Sequence, residues 1–438
     1  MKLIRDILTR NKTAVVVQDG TIYKQVTIRT NYKGVVLRGT QEGSAILTKN
    51  QFVVSAGQFI LSRIDARNSA FGIIPEELEG AIVTNDFLAF DINENEVERE
   101  FFNVFLQSPT FLEACIRASR GNTNRKRVDE TFFLDYQVDL PPLREQHTLI
   151  KQINKGRFQL ALAQNEIAHQ QRLLAKLKQA ILQEAIQGKL TADWRAGHPD
   201  VEPASQLLKR IQAEKARLIA AKKLRPEKPL PKIPPAEIPF EIPKGWEWCR
   251  LGVLGSTQTG TTPDTTVPEN FGNFIPFVKP ADIDQDGITY EDKGLSERGL
   301  NEGRLIAADS IMMVCIGSST GKVAVSDRPV SCNQQINAIT FLDEVDARCV
   351  EFILKSPYFQ AALWTATKTG ITPIINKSKW SSILVPLPPL AEQAAIVERV
   401  EALMTTCRAL ETEIEHARTH AAHLLQAVLK EAFAPTGK

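Results

Sequence analysis

The feature that most constrains this 438-residue chain is a duplicated segment that reads as one long helix in each copy. LPPLREQ at 140–146 returns 247 residues later as LPPLAEQ at 387–393, and at the same offset QAILQEA (179–185) returns as QAVLKEA (426–432). A repeat on this scale is a structural unit used twice. Pro141 and Pro142 set the helix start, because proline fits a first turn and breaks an interior; the next proline is Pro199. In the second copy Ile396, Val400, Leu403, Cys407, Leu410, Ile414, Ala417, Ala421, Leu424 and Val428 step by four and three, the spacing of a coiled-coil seam. The first copy keeps the seam at equivalent positions except at Gly156 and Gln170. A helix of ~45 residues is ~65 Å long, more than a domain of ~30 Å can cover. Two matched stripes in one chain most economically bury one another, which predicts an antiparallel coiled-coil spacer. Packing of each stripe on its own domain is the alternative.

Each long helix follows a mixed block. GQFILSRI, AIVTNDFLAFDI, DSIMMVCI and INAITFLDE are short, β-branched and bounded by turn residues, so they read as strands, while FFNVFLQSPTFLEACIRA and CVEFILKSPYFQAALWTAT read as helices. Ser108, Pro109 and Phe111 recur at an offset of 248 as Ser356, Pro357 and Phe359, so the repeat unit is domain plus helix. Seven prolines between Arg225 and Gly245 read as an extended, semi-rigid linker. The expected organisation is a first domain at 1–139, a first long helix at 140–188, a break and short basic helix at 189–225, a proline-rich linker at 226–243, a second domain at 244–386 and a second long helix at 387–438. The fold class is α+β, with two mixed α/β domains separated by the two long helices.

Apolar residues at 43% and charged residues at 24% are ordinary for a globular chain. The longest apolar run is six residues, 311–316, and the N-terminus lacks a signal-peptide stretch, so we expect a cytoplasmic protein with no membrane partner. Six scattered cysteines without a CxxC pair suggest neither a disulfide framework nor a zinc ribbon. Net charge is only +2, so distribution decides the question of nucleic acid. RASRGNTNRKR at 117–127 carries five cations and no anion, and KTGITPIINKSK at 368–379 is a second polar, cationic segment.

The duplicated LPPLxEQ entering a long helix, the phrase QGKLTADWR after the first copy and GWEWCRLG opening the second domain together resemble the DNA-specificity subunits of type I restriction-modification systems. The resemblance covers essentially the whole chain. It implies two target-recognition domains, each reading half of a bipartite asymmetric site on double-stranded DNA, and helices that set half-site spacing and dock two methyltransferase subunits. It implies a non-catalytic chain with no cofactor or metal of its own, S-adenosylmethionine belonging to the methyltransferase, and two restriction (nuclease/translocase) subunits as further partners.

Bases are read by bidentate pairs such as Arg to guanine and Asn or Gln to adenine, while lysines and hydroxyls hold phosphates. Candidates in the first block are Arg63, Arg67 and Asn68, then Asn122, Asn124, Arg125, Lys126 and Arg127. In the second they are Ser318, Ser319, Thr320 and Lys322, the run Asn333, Gln334 and Gln335, and Lys368, Thr369, Asn376 and Lys377. Rival readings are weaker. GSSTGK has three residues between its glycines and Val323 after its lysine, where a phosphate-binding loop needs four and a hydroxyl. Pro263 and Asp264 with Glu291 and Lys293 only superficially match a nuclease pattern. His416, His420 and His423 share a helix face that reads as hydrophilic surface. A methyltransferase's glycine-rich loop and Asn-Pro-Pro-aromatic motif do not occur. A protein scaffold with incidental basic loops is the alternative from another class.

Overall fold

The computed structural model describes residues 1–121, 126–291, 293–342, 344–368, 370 and 372–432, the last eight by backbone alone. The chain divides into two compact units, residues 1–166 with 418–438, and residues 167–417.

In chain order the first unit runs β1 (Leu8–Arg10), β2 (Ala14–Val16), β3 (Ile22–Ile28), β4 (Val35–Glu42), β5 (Asn50–Val54), β6 (Phe59–Ser62), β7 (Phe71–Ile73), β8 (Ala81–Val83) and β9 (Phe87–Ile92). Then come α1 (Arg99–Phe105), α2 (Pro109–Ala118), the short strands β10 (Ser119–Arg120) and β11 (Arg127–Val128), and α3 (Glu130–Leu134). One antiparallel sheet has the order β1-β9-β6-β7. A second, of order β2-β5-β8-β3-β4, comes largely from the chain between β1 and β6. Phe59, Phe71 and Phe90 of the first sheet meet Phe102, Phe111 and Phe133 of the helices in a buried cluster of mostly edge-to-face rings. That geometry suits the ring quadrupole and adds to the area buried.

Helix α4 (Leu143–Ile186) begins in the first unit and continues in the second. The second unit then adds α5 (Ala192–Gly197), α6 (Ala204–Ala220), β12 (Glu247–Arg250), β13 (Gly255–Thr259), β14 (Ile311–Val314), β15 (Val323–Val325) and β16 (Ile336–Phe341). Helices α7 (Ala347–Lys355), α8 (Pro357–Ala366) and α9 (Lys377–Ser381), strand β17 (Leu384–Leu387) and the start of α10 (Leu390–Ala432) complete it. Its main sheet, β13-β16-β14-β15, has the same strand order as the first unit's and is likewise antiparallel.

The repeated sequence phrases do the same physical work twice. Ser108 and Ser356 each accept the backbone N–H three residues on and so cap α2 and α8, with proline at the first helical position. In LPPLxEQ the glutamine is the anchor. Gln146 Oε1 accepts the Glu98 N–H at 2.8 Å and its Nε2 donates to Pro141 O, while Gln393 does the same with Asp346 and Pro388. Both amides are fully buried, and each ties a long helix to the N-terminus of the preceding helix pair.

Within the second unit, α4 from residue 167 runs antiparallel to α10: Lys178 pairs with Glu411, and Asp193, beyond the end of α4, pairs with Arg399. Ile167, Leu174 and Ile181 are buried at seven-residue spacing, as are Val400, Cys407 and Ile414. The expected spacer is thus antiparallel, but only one of its two apolar lines is closed. Leu177, Leu403 and Leu410, on the expected seam, remain 39–46% exposed. Ile396, on the same line as Leu403 and Leu410, is buried, so that line opens only beyond it. Gly188 ends α4 in the left-handed conformation at φ +67°, with Lys189 N–H reaching back to Glu184 O.

The proline-rich segment is extended, yet it is strapped onto the second unit. The buried Arg250 guanidinium donates to Pro231 O and Lys232 O and pairs with Glu237, while Glu227 accepts from Lys215, Thr257 and Lys377. No helix among the described residues is long and apolar enough to cross a membrane.

Candidate nucleic-acid interface

The two loops picked from sequence as SRIDARNSAFG and GSSTGK occupy the same place in the repeated frame. Residues 63–70 join β6 to β7, and residues 315–322 join β14 to β15. In each unit a second loop lies beside the first. In the first unit, β10 and β11 pair and carry residues 121–126 between them. Val128 N–H donates to Arg63 O at 2.8 Å, which sets the β10–β11 strand pair against the start of the 63–70 loop. In the second unit, Lys368 and Ile374 bridge, Gly317 N–H donates to Pro373 O, and Ile375 N–H donates to Cys315 O. Two segments far apart in sequence are thereby joined in each unit.

The first surface is cationic. Arg63 is half-buried, its Nε directed at Val128 O, and its backbone N–H donates to Asp86 O. Asp86 pairs through its carboxylate with Arg127 at 3.1 Å. Arg67 is half-buried on the loop, while Asn68, Lys126 and Arg127 are exposed. Arg120 lies 4.2 Å over the Phe132 ring. Asn122, Asn124 and Arg125 fall outside the described residues.

The second surface is polar with fewer charges. Ser318, Lys322 and Lys368 are exposed and Ser319 is half-buried. Thr320 is buried, and its hydroxyl donates to Gly317 O at 2.7 Å, so it shapes the loop from within. Gln335 adjoins the loop through its carbonyl, which accepts from Cys315 N–H, and its side chain accepts from Asn333. The phosphate-loop alternative fails on topology: GSSTGK runs into strand β15 instead of opening a helix. Lys377 stands apart from this cluster. Its ammonium contacts Glu227 and Thr257 O, holding the proline-rich strap. Asn376 likewise caps α9 through its side chain, and Thr369 lies outside the described residues. His416, His420 and His423 are exposed along α10. Burial pushes the Cys315 and Cys332 thiols up to about 12, so both stay protonated beside the loops.

Two features escaped the sequence reading. The β3–β4 hairpin tip docks on the 63–70 loop, with Asn31 N–H donating to Asn68 O at 2.9 Å and Tyr32 N–H to Ser69 O at 3.3 Å. Its signal was available: from Thr21 to Gln41 there are four cations and no anion, spread too thinly to read as a basic run. The second is a buried carboxylate, Glu392 of the repeated motif. It accepts from Thr191, Trp246 Nε1 and Arg195, which explains physically why QGKLTADWR and GWEWCRLG accompany LPPLAEQ.

The chain matches solved structures over nearly its whole length. An HsdS subunit from Thermoanaerobacter tengcongensis aligns with a TM-score of 0.54 and 18% identity, covering 99% of this chain and 96% of that one. A chain from a structure described as the structural basis underlying complex assembly and conformational transition of the type I R-M system aligns at 0.59 and 16%, covering 99% and 97%. These likenesses concern the fold. Among curated proteins, the Escherichia coli type I restriction enzyme EcoAI specificity subunit is 26% identical over 388 residues, 77% of this chain. The EcoEI specificity subunit of the same organism is 26% identical over 394. The chain spans 65% of the length of each of these two relatives. The family described as type I restriction modification DNA specificity domain matches residues 9–171 and 243–417, most of both repeats. On that match, and with the duplicated frame that it covers, the chain belongs to the type I restriction modification DNA specificity domain family.

Proposed function

We propose that this chain is the DNA-reading subunit of a type I restriction-modification complex, each unit binding one half of a bipartite asymmetric site. The observation that carries this reading is the repeated strand–loop–strand frame, which presents different side chains at the same topological position. Arg63, Arg67 and Asn68 in one unit correspond in topological position to Ser318, Ser319 and Lys322 in the other. A scaffold would not need one frame with two chemistries, whereas a reader of two unlike half-sites does. Lys126, Arg127 and Lys368 supply the phosphate contacts that fix register.

The open apolar line of the long helices supports the partner reading. Leu173, Leu177 and Leu410 line a groove beside Gln170 and Glu413, a surface that fits a docked subunit better than solvent. Two methyltransferase subunits occupy such surfaces, S-adenosylmethionine and the chemistry reside in them, restriction subunits join the assembly, and the helices set half-site spacing. The test is base-resolved methylation mapping in cells expressing the methyltransferase with and without this chain. A bipartite motif methylated only in its presence supports the reading. Identical methylation in both, with assembly confirmed, leaves the scaffold alternative standing.

A further inference from the structure

We propose that the β3–β4 hairpin tip is a specificity determinant for the first half-site, with Asn31 and Tyr32 reaching base edges and Arg29, Lys33 and Arg38 holding phosphates. This rests on the function proposed above and adds a third reading segment to the two loops.

The backbone at the hairpin tip is unusual. Asn31 and Tyr32 have φ of 58° and 57°, and Lys33 N–H closes the turn on Thr30 O. Two successive positive φ values define the mirror-image turn that suits a hairpin's twist, where glycine is the favoured second residue. A tyrosine there is strained, and strain of this kind persists where surrounding contacts fix it and function uses it. The contacts are present. The two backbone hydrogen bonds to Asn68 and Ser69 seat the tip on the reading loop, and the Tyr32 ring packs edge-on against Phe71 at 5.6 Å. Phe71 is itself a core residue. Tyr32 is nonetheless 41% exposed, so a rigid aromatic with a free edge stands beside Arg67 and Asn68.

Lys24, Arg29, Lys33 and Arg38 lie on the hairpin without an acidic neighbour between residues 21 and 41. Among the described residues, Arg29, Lys33 and Arg38 are exposed and no ion pair engages them. A cationic finger with unpaired charges matches a phosphate backbone, which dominates affinity through released counterions.

The two units differ at this point of the chain. The four-stranded frame is common to both, but the chain between its first and third strands is not. The first unit folds it into the sheet bearing this hairpin, and the second into short ladders such as Phe271–Gly272 with Gly294–Leu295. Specificity for unlike half-sites must reside in what differs.

The test uses the assembled methyltransferase complex carrying Tyr32→Gly, Asn31→Gly or the triple change Arg29→Ala, Lys33→Ala, Arg38→Ala. Glycine suits both turn positions, so the two single variants keep the fold. Methylation mapping should show the first half-site relaxed by roughly ten- to a hundred-fold in preference at one or two base pairs, with the second unchanged. The triple variant should weaken binding to all sequences and flatten the log–log salt slope by about 2 to 3. If the wild-type complex writes no bipartite motif, the underlying function is wrong. If it writes one and all three variants write it identically, the hairpin is a brace and this inference falls. A loss confined to the second half-site would overturn it equally.

Discussion

Glu145 and Glu392 stand at the same position of LPPLxEQ, yet their surroundings differ completely. Glu392 is fully buried among Thr191, Arg195 and the Trp246 indole N–H, all of which donate to it. Glu145 is exposed, and among the described residues its carboxylate meets none of these donors. Removing a buried acceptor leaves its donors unpaired, so Glu392→Ala should cost about 3 kcal/mol. Glu145→Ala should cost less than about 0.5 kcal/mol. Urea denaturation of the two variants checks this, and equal midpoints would show that the buried cluster is not a stabilising clamp. Gln146 and Gln393, by contrast, each bind the backbone N–H at a helix N-cap, Glu98 or Asp346, and the first proline's carbonyl, which is why the glutamine rather than the glutamate is the common structural residue of the motif.

At the scale of elements, the start of the proline-rich strap is held by one carboxylate, Glu227. Burial pushes the Glu227 carboxyl up, but hydrogen bonds from Thr257 and Lys215, the Lys215 charge and Lys377 outweigh it and hold the group below its ordinary value of 4.5. A lowered folded value means that the stabilisation is fully present above 4.5 and is lost as pH falls through the folded value. Protection factors of the amides over residues 226–243, exchange rates corrected for their intrinsic pH dependence, should therefore be high at neutral pH and fall as the medium is acidified past that range. Glu227→Gln should bring the faster exchange to neutral pH. Protection that does not change with pH would assign the strap's attachment to Arg250 alone. The long helices have their own element-scale lesson. Their seven-residue period was legible, but periodicity states only which residues share a stripe. Whether Leu174 is covered and Leu177 left open depends on how many partners the stripe has.

For the whole molecule, the proposed function makes the helices a ruler. Inserting one heptad at matching positions of α4 and α10 keeps the seam in phase and adds about 10 Å, or roughly three base pairs of duplex. Methylation mapping should then find both half-sites unchanged and the gap longer by about that amount. An unchanged gap would detach spacing from helix length. The same whole-molecule view shows what could be read from residues alone. The repeat, the proline-marked helix starts, the Ser-Pro caps, the principal strands and the heptad stripe are all local, because each is fixed by turn chemistry or by a period of a few residues. So were the two loops now found at one topological position, since turn residues and charge mark them in sequence. Contacts between distant segments were not. Val128 reaching Arg63, Asn31 reaching Asn68 and Lys377 bound to Glu227 rather than facing outward all join residues 37 or more positions apart. Sequence therefore determined the long helices, the capped helix pairs and the principal strands, and that this frame occurs twice. Tertiary structure decided which loops meet, which cations are already committed and which apolar line stays open, because those outcomes depend on packing between segments that no local pattern encodes.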